Sequence, residues 1–175
     1  MKAVQCVASF CLLKGEKMVK VGIVMGSISD KPVMEECEKM LESFNIEYEV
    51  KILSAHRTPD EAIAYARAAY DKGIKVLIAA AGGAAHLAGV LAGVTTVPVI
   101  GVPMSTNMMG GLDSLLSIVQ MPSGVPVATV AVGKAGAKNA AVLALTILGT
   151  SEKEYHEKLV EYKEEMRKSV LALND

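Results

Sequence analysis

A chain of 175 residues, 51% hydrophobic and 21% charged, has material for one substantial core and too little for two. Its formal net charge of -1 gives no broad field to gather nucleic acid or an anionic membrane, and the absence of tryptophan leaves few platforms for stacked bases. Any anionic ligand must therefore be held by local groups.

The first segment, Met1 to Lys17, contains the run VQCVASFCLL after one lysine. About ten apolar-leaning residues are too few to span a bilayer, and no small-residue cleavage pattern follows, so this stretch reads as a dispensable extension. Met18 stands directly before the first well-formed strand, and residues 18–175 read as one domain. Cys6, Cys11 and Cys37 form no CxxC pair, and their odd number argues against a disulfide scaffold and for a reducing cytoplasm.

From Val19 onward the chain repeats strand, glycine-containing turn and helix. Val19 to Met25 is a buried-type apolar run, followed by the turn Gly26-Ser27-Ile28-Ser29-Asp30. Pro32 suits a first helical turn, and Val33, Met34, Cys37, Met40, Leu41 and Phe44 recur at helical spacing up to Asn45. Glu47 to Leu53 is the second strand, ending at Ser54-Ala55-His56-Arg57. Thr58-Pro59-Asp60-Glu61 then opens a helix that runs to about Lys72.

Gly73 stops that helix, and Ile74 to Ala80 forms the third strand. Ala81-Gly82-Gly83-Ala84-Ala85-His86-Leu87 is expected to begin a small-residue helix reaching about Gly93. Val97 to Val102 is the fourth strand, Leu112 to Val119 a short helix, Val127 to Val132 the fifth strand, and Gly136 to Leu148 an alanine-rich helix. The last helix, Ser151 to Leu173, carries Tyr155, Leu159, Tyr162, Met166, Val170 and Leu173 on one stripe and charges elsewhere. That helix either crosses the domain or covers a neighbouring subunit.

Buried apolar strands alternating with helices require a parallel sheet with helices on both faces. Such sheets bind ligands outside the carboxyl ends of their strands. The polar or glycine-rich segments Gly26 to Asp30, Ser54 to Arg57, Ala81 to His86 and Met104 to Met109 each follow a strand, so one rim collects them.

Two readings are open for each of the first three. The first turn is a serine and aspartate helix cap, or a cradle in which hydroxyls and amides surround a phosphate while Asp30 accepts from sugar hydroxyls. It lacks the Gly-Lys-Ser/Thr of a Walker loop and the three glycines of the dinucleotide fingerprint. His56 beside Arg57 is a loop pair, or a proton carrier next to a phosphate clamp. Gly82 and Gly83 permit tight packing or close approach of a ligand to backbone N–H groups, and His86 can face either way.

Other chemistries find little support. His56 and His86 have no accompanying cysteine pair or HExxH pattern, so no metal is expected. Cys37 lies on an apolar helix face and reads as core, no serine occupies a GxSxG elbow, and paired acids are missing from the rim. His156, in the charged last helix, reads as a surface or interface residue.

The motifs VGIVMGSISD (21–30), SAHRTPD (54–60), AAAGGAAHL (79–87), IVQMPSG (118–124) and VGKAGAKNAA (132–141) together resemble the N5-carboxyaminoimidazole ribonucleotide mutase family, the mutase class of the phosphoribosylaminoimidazole carboxylases of purine biosynthesis. The resemblance runs from Met18 to about Leu173. It implies a flavodoxin-like three-layer sandwich with about five parallel strands and a long C-terminal helix, assembled as a cytoplasmic homo-octamer with sites shared between subunits. It implies an aminoimidazole ribonucleotide substrate, with no metal, nucleotide or biotin cofactor.

Carried onto this chain, the resemblance makes His56 the general acid and base and Arg57 the phosphate ligand. Ser27 and Asp30 take the ribonucleotide moiety, with Ser29 at the phosphate. Ser54 and Ala55 line the base pocket, and Gly82, Gly83 and His86 surround the migrating carboxylate. Arg57 and the GGAAHL form resemble the mutase class, whereas the related class that uses carbon dioxide directly usually carries lysine at the Arg57 position.

Overall fold

The computed structural model describes residues 18–174. The expected extension, residues 1–17, lies outside them. The ordered elements are β1 (Val21–Met25), α1 (Lys31–Ser43), β2 (Tyr48–Ile52), α2 (Pro59–Ala68), β3 (Val76–Ala81), α3 (Leu87–Ala92), β4 (Val99–Pro103), α4 (Leu112–Val119), β5 (Ala128–Thr129), α5 (Lys134–Gly149) and α6 (Lys153–Leu171).

All strand pairs are parallel, in the order β2-β1-β3-β4-β5. The chain leaves β1 for β2 on one side and returns to β3 on the other, so the order reverses at β1. The alternating strand faces divide the core. Val21, Ile23, Met25, Ile78 and Ala80 join residues of α1, α5 and α6 on one face, while Val24, Leu77, Ala79 and Ala81 join α2, α3 and α4 on the other. This is the parallel sheet with helices on both faces expected from the alternation of buried strands and helices, in the three-layer, flavodoxin-like form that the family resemblance implies.

Cys37 belongs to the first of these clusters, and burial pushes its thiol up to about 12. A thiol so protonated is packing, not a nucleophile.

Three elements differ from the periodicity, the first being α2, which ends at Ala68 and not near Lys72. The fifth strand shrinks from Val127–Val132 to Ala128–Thr129. Beyond it only isolated bonds follow β4, from Val130 N–H to the Gly101 carbonyl and from Gly133 N–H to the Pro103 carbonyl. The small-residue helix starts at Leu87, not Ala81, because Gly83 (φ 67) and Ala85 (φ 44) take left-handed conformations that no α-helix contains. Residues 82–85 instead make a turn, closed by Ala85 N–H donating to the Gly82 carbonyl at 3.2 Å.

The stripe on α6 is divided in use. Tyr155 and Leu159 are buried, and Tyr162 meets Phe44 edge to face at 5.3 Å. Met166, Val170 and Leu173 are exposed. No helix among the described residues is long and apolar enough to cross a membrane.

Candidate active site

Three chain segments leave the carboxyl ends of β1, β2 and β3 side by side, at the place where the strand order reverses. Gly26 N–H donates to the Ala80 carbonyl at 3.1 Å, so the first turn begins pinned to β3. Ser27 is extended and its Oγ accepts the Ser29 N–H, capping the single 3-10 turn before α1. The Ser29 hydroxyl lies 2.9 Å from Ser27 Oγ and 3.4 Å from the Asp30 carboxylate. Burial pushes the Asp30 carboxyl above its usual range, against the opposing pull of hydrogen bonds from Ser27 and Ser29.

The second turn is locked by its own side chains. Ser54 Oγ accepts the N–H groups of His56 (3.3 Å) and Arg57 (3.2 Å), while Thr58 Oγ1 accepts the Ser54 N–H at 2.8 Å. Thr58 stands at the N-cap of α2, as its sequence position implies, yet its hydroxyl donates back to the Ser54 carbonyl and caps no helix N–H. The result is a rigid knuckle that presents His56 and Arg57 to solvent.

Arg57 Nη2 then donates to the Gly26 carbonyl at 2.8 Å, tying the second turn to the first. His56 Nε2 lies 2.7 Å from His86 Nδ1, with the rings at 79°, tying the second turn to the third. The two nitrogens that meet share one hydrogen, so one imidazole donates and the other accepts. His86 therefore faces His56, which resolves its orientation.

These contacts enclose a cleft of about 290 Å³ lined by Gly26, Ser27, Ser54, Ala55, His56, Arg57, Ala81, Gly82, Ala85, His86 and Leu87. A second hollow of about 370 Å³ adjoins it, and Gly26, Ser27, Ser54 and Arg57 border both. Of the residues expected at the site, Ser27, Ser54, Ala55, His56, Arg57, Gly82 and His86 come together in the first cleft. Ser29, Asp30 and Gly83 do not line it. Gly83 sits behind the wall, its N–H donating to Ser114 Oγ at 3.0 Å.

Sequence reasoning missed Ser114, which is fully buried on the first turn of α4. A serine inside an amphipathic helix carries no local sign of a partner 31 residues away. It placed Ala81 and Ala85 on the rim but gave neither them nor Leu87 a role at the site, because their small or apolar character reads as packing. Among the described residues, no three His, Cys, Asp or Glu side chains gather as a metal site.

Comparison with known proteins agrees with this architecture. A family model described as AIR carboxylase matches residues 20–169. The N5-carboxyaminoimidazole ribonucleotide mutase of Pyrococcus abyssi is 60% identical over 151 residues, covering 86% of each chain. The Bacillus subtilis protein of the same name is 53% identical over 155 residues, 89% of this chain and 96% of its own. Among solved structures, Treponema denticola PurE superposes with a TM-score of 0.79 at 31% identity, over 87% of this chain and 94% of that one. With a parallel sheet that reverses at β1, a cleft built on its strand ends and these matches across most of its length, the chain belongs to the AIR carboxylase family.

Proposed function

We infer that this chain converts N5-carboxyaminoimidazole ribonucleotide into 4-carboxy-5-aminoimidazole ribonucleotide, an isomerisation in purine biosynthesis. The observation that carries the reading is the placing of His56 and Arg57 on one locked turn, with His56 directed across the cleft to His86. A proton carrier and a phosphate clamp on adjacent residues suit a substrate with a reactive ring at one end and a phosphate at the other. The two hollows that meet at Ser27 and Arg57 have room for those two ends. The mutase name borne by relatives at 52–60% identity supports the same reaction.

In this reading Arg57 and the Ser27–Asp30 turn hold the phosphate and ribose, with Ser29 at the phosphate and Asp30 accepting from ribose hydroxyls. Ser54 and Ala55 flank the base. Gly82, Gly83 and His86 form the turn around the carboxylate. Protonated His56 gives its proton to the exocyclic nitrogen as the carbamate C–N bond breaks and carbon dioxide departs. The ring carbon attacks that carbon dioxide, and neutral His56 then takes the proton from the same carbon, restoring the aromatic ring. One group serves both steps because an imidazole nitrogen can give a proton in the first and take one back in the second. Holding carbon dioxide beside the ring supplies the effective concentration that solution lacks.

The same reading makes the chain a cytoplasmic enzyme without a metal or organic cofactor. It assembles as a homo-octamer, in which the exposed Met166 and Val170 of α6, with Leu173 just beyond its end, seat on a neighbouring copy.

The test follows ring-carboxylated product from purified protein without ATP or metal. Conversion of N5-carboxyaminoimidazole ribonucleotide, with little product from aminoimidazole ribonucleotide plus bicarbonate, is the expected result. Product only from the second mixture would make the chain a direct carboxylase, and folded protein inert with both would reduce it to a binding module.

A further inference from the structure

Among the described residues, Ser114 is a fully buried polar side chain that the reaction scheme does not use. A hydroxyl taken out of water destabilises the fold unless it is hydrogen-bonded. Ser114 Oγ meets that requirement by accepting the Gly83 N–H at 3.0 Å. One turn further along α4, the single Ser117 hydroxyl hydrogen is shared between the Asp113 carbonyl at 2.8 Å and the Gly83 carbonyl at 3.3 Å. Residues three apart on a helix share a face, so α4 grips Gly83 from both sides.

The grip fixes two successive peptide planes, because the N–H belongs to the Gly82–Gly83 peptide and the carbonyl to the Gly83–Ala84 peptide. A Cβ on Gly83 would meet nothing within 4 Å, so this glycine serves the left-handed φ of 67° and not a shortage of space. Gly82 is the crowded position. A Cβ there would stand 3.3 Å from Met104 Cβ, 3.5 Å from the Thr106 methyl and 3.7 Å from Ser114 Oγ. Thr106 Oγ1 in turn donates to the Asp113 carboxylate at 2.7 Å, drawing the loop after β4 onto the same helix end.

The held turn runs directly into His86, whose ring reaches His56, while Gly82 and Ala85 face the cleft. We propose that Ser114 is a positioning residue for the reaction: by accepting the Gly83 N–H, it sets the turn that carries Gly82 and His86 against the reacting carboxylate. A consequence is that the Gly83 N–H itself is committed to Ser114, so the carboxylate is met by other groups of the turn.

This inference rests on the mutase reading above, and its test separates the two. Wild type and Ser114→Ala are assayed with N5-carboxyaminoimidazole ribonucleotide, and binding of the carboxylated product is compared with binding of aminoimidazole ribonucleotide, which lacks the carboxylate. Inactive wild type refutes the mutase reading. With active wild type, Ser114→Ala lowers kcat by about tenfold, as expected for a displaced hydrogen-bonded turn, with KM changed less than about threefold. It also weakens binding of the carboxylated product while leaving the decarboxylated ribonucleotide alone, a split that general destabilisation does not produce. Ser114→Thr, which keeps the hydroxyl, restores the preference where it folds.

Folded Ser114→Ala with wild-type kcat, or with equal loss for both ligands, overturns the proposal. Should Ser114→Ala fail to fold, the exposed Ser117→Ala decides. A kcat reduced by about two- to fivefold with the same ligand split supports the grip, and an unchanged enzyme refutes it.

Discussion

His56 Nε2 stands 2.7 Å from His86 Nδ1 across the cleft, joining residues that lie 30 positions apart. The contact holds the His56 ring in one orientation, and the N–H groups of His56 and Arg57 on Ser54 Oγ hold its backbone. His56→Asn therefore preserves the turn, because those backbone bonds do not involve the replaced ring. Turnover is expected to fall by about 10²- to 10⁴-fold, the usual size of a general acid–base contribution, while product affinity stays within about threefold. Steady-state kinetics paired with calorimetric titration checks this, and loss of binding together with turnover would deny His56 its proton-transfer role.

Arg57 is exposed, and its Nη2 bond to the Gly26 carbonyl leaves other guanidinium donors for a phosphate. Arg57→Ala should raise KM by about 10- to 100-fold with a smaller change in kcat, since a charge-assisted hydrogen bond contributes roughly 1.5–3 kcal/mol. Added salt should weaken wild-type affinity more than that of the variant. KM measured across a salt series separates this outcome from a structural defect, which would lower kcat and salt response alike.

How much of this was legible in the sequence depends on which contacts are local. The three turns could be gathered on one rim because Gly26 to Asp30, Ser54 to Arg57 and Ala81 to His86 each follow a buried strand. The facing of His56 and His86 could not, because it needs β1 to lie between β2 and β3, and periodicity carries no strand order. The helix expected from Ala81 failed at its start because alanine propensity says nothing about Gly83 and Ala85 turning left-handed. Ser114 was illegible for a related reason: its partner is a backbone N–H in another element.

Asp30 offers a pH-dependent test. Burial raises its carboxyl above the ordinary 3.8, so the folded protein binds its proton more tightly than the unfolded chain does. Stability from this group consequently falls as pH rises from the unfolded value through the raised folded value, and the penalty persists at neutral pH. Asp30→Asn should melt higher than wild type at pH 7, the difference vanishing below about pH 3.8, while KM for the ribonucleotide rises. Melting curves at both pH values check the sign, and an Asn variant less stable at pH 7 would contradict it.

Gly136 tests the packing of α5 against the fifth strand's exit. A Cβ at this position would overlap the Ala131 carbonyl oxygen and lie 2.7 Å from its carbon, and backbone atoms cannot swing aside as a side-chain tip can. Gly136→Ala should cost about 1–3 kcal/mol or more, as overpacked sites do. Denaturant unfolding measures it, with an unchanged midpoint as the contrary outcome.

In the proposed reaction the carboxylate moves within one bound substrate. It is tested most directly by turnover of N5-carboxyaminoimidazole ribonucleotide carrying ¹³C in its carbamate, in excess unlabelled bicarbonate, with mass analysis of early product. Retention of the label on the ring carbon is the predicted result. Product carrying unlabelled carboxylate at the isotopic ratio of the solution would contradict it and show that the carbon dioxide exchanges with solution before it reaches the ring.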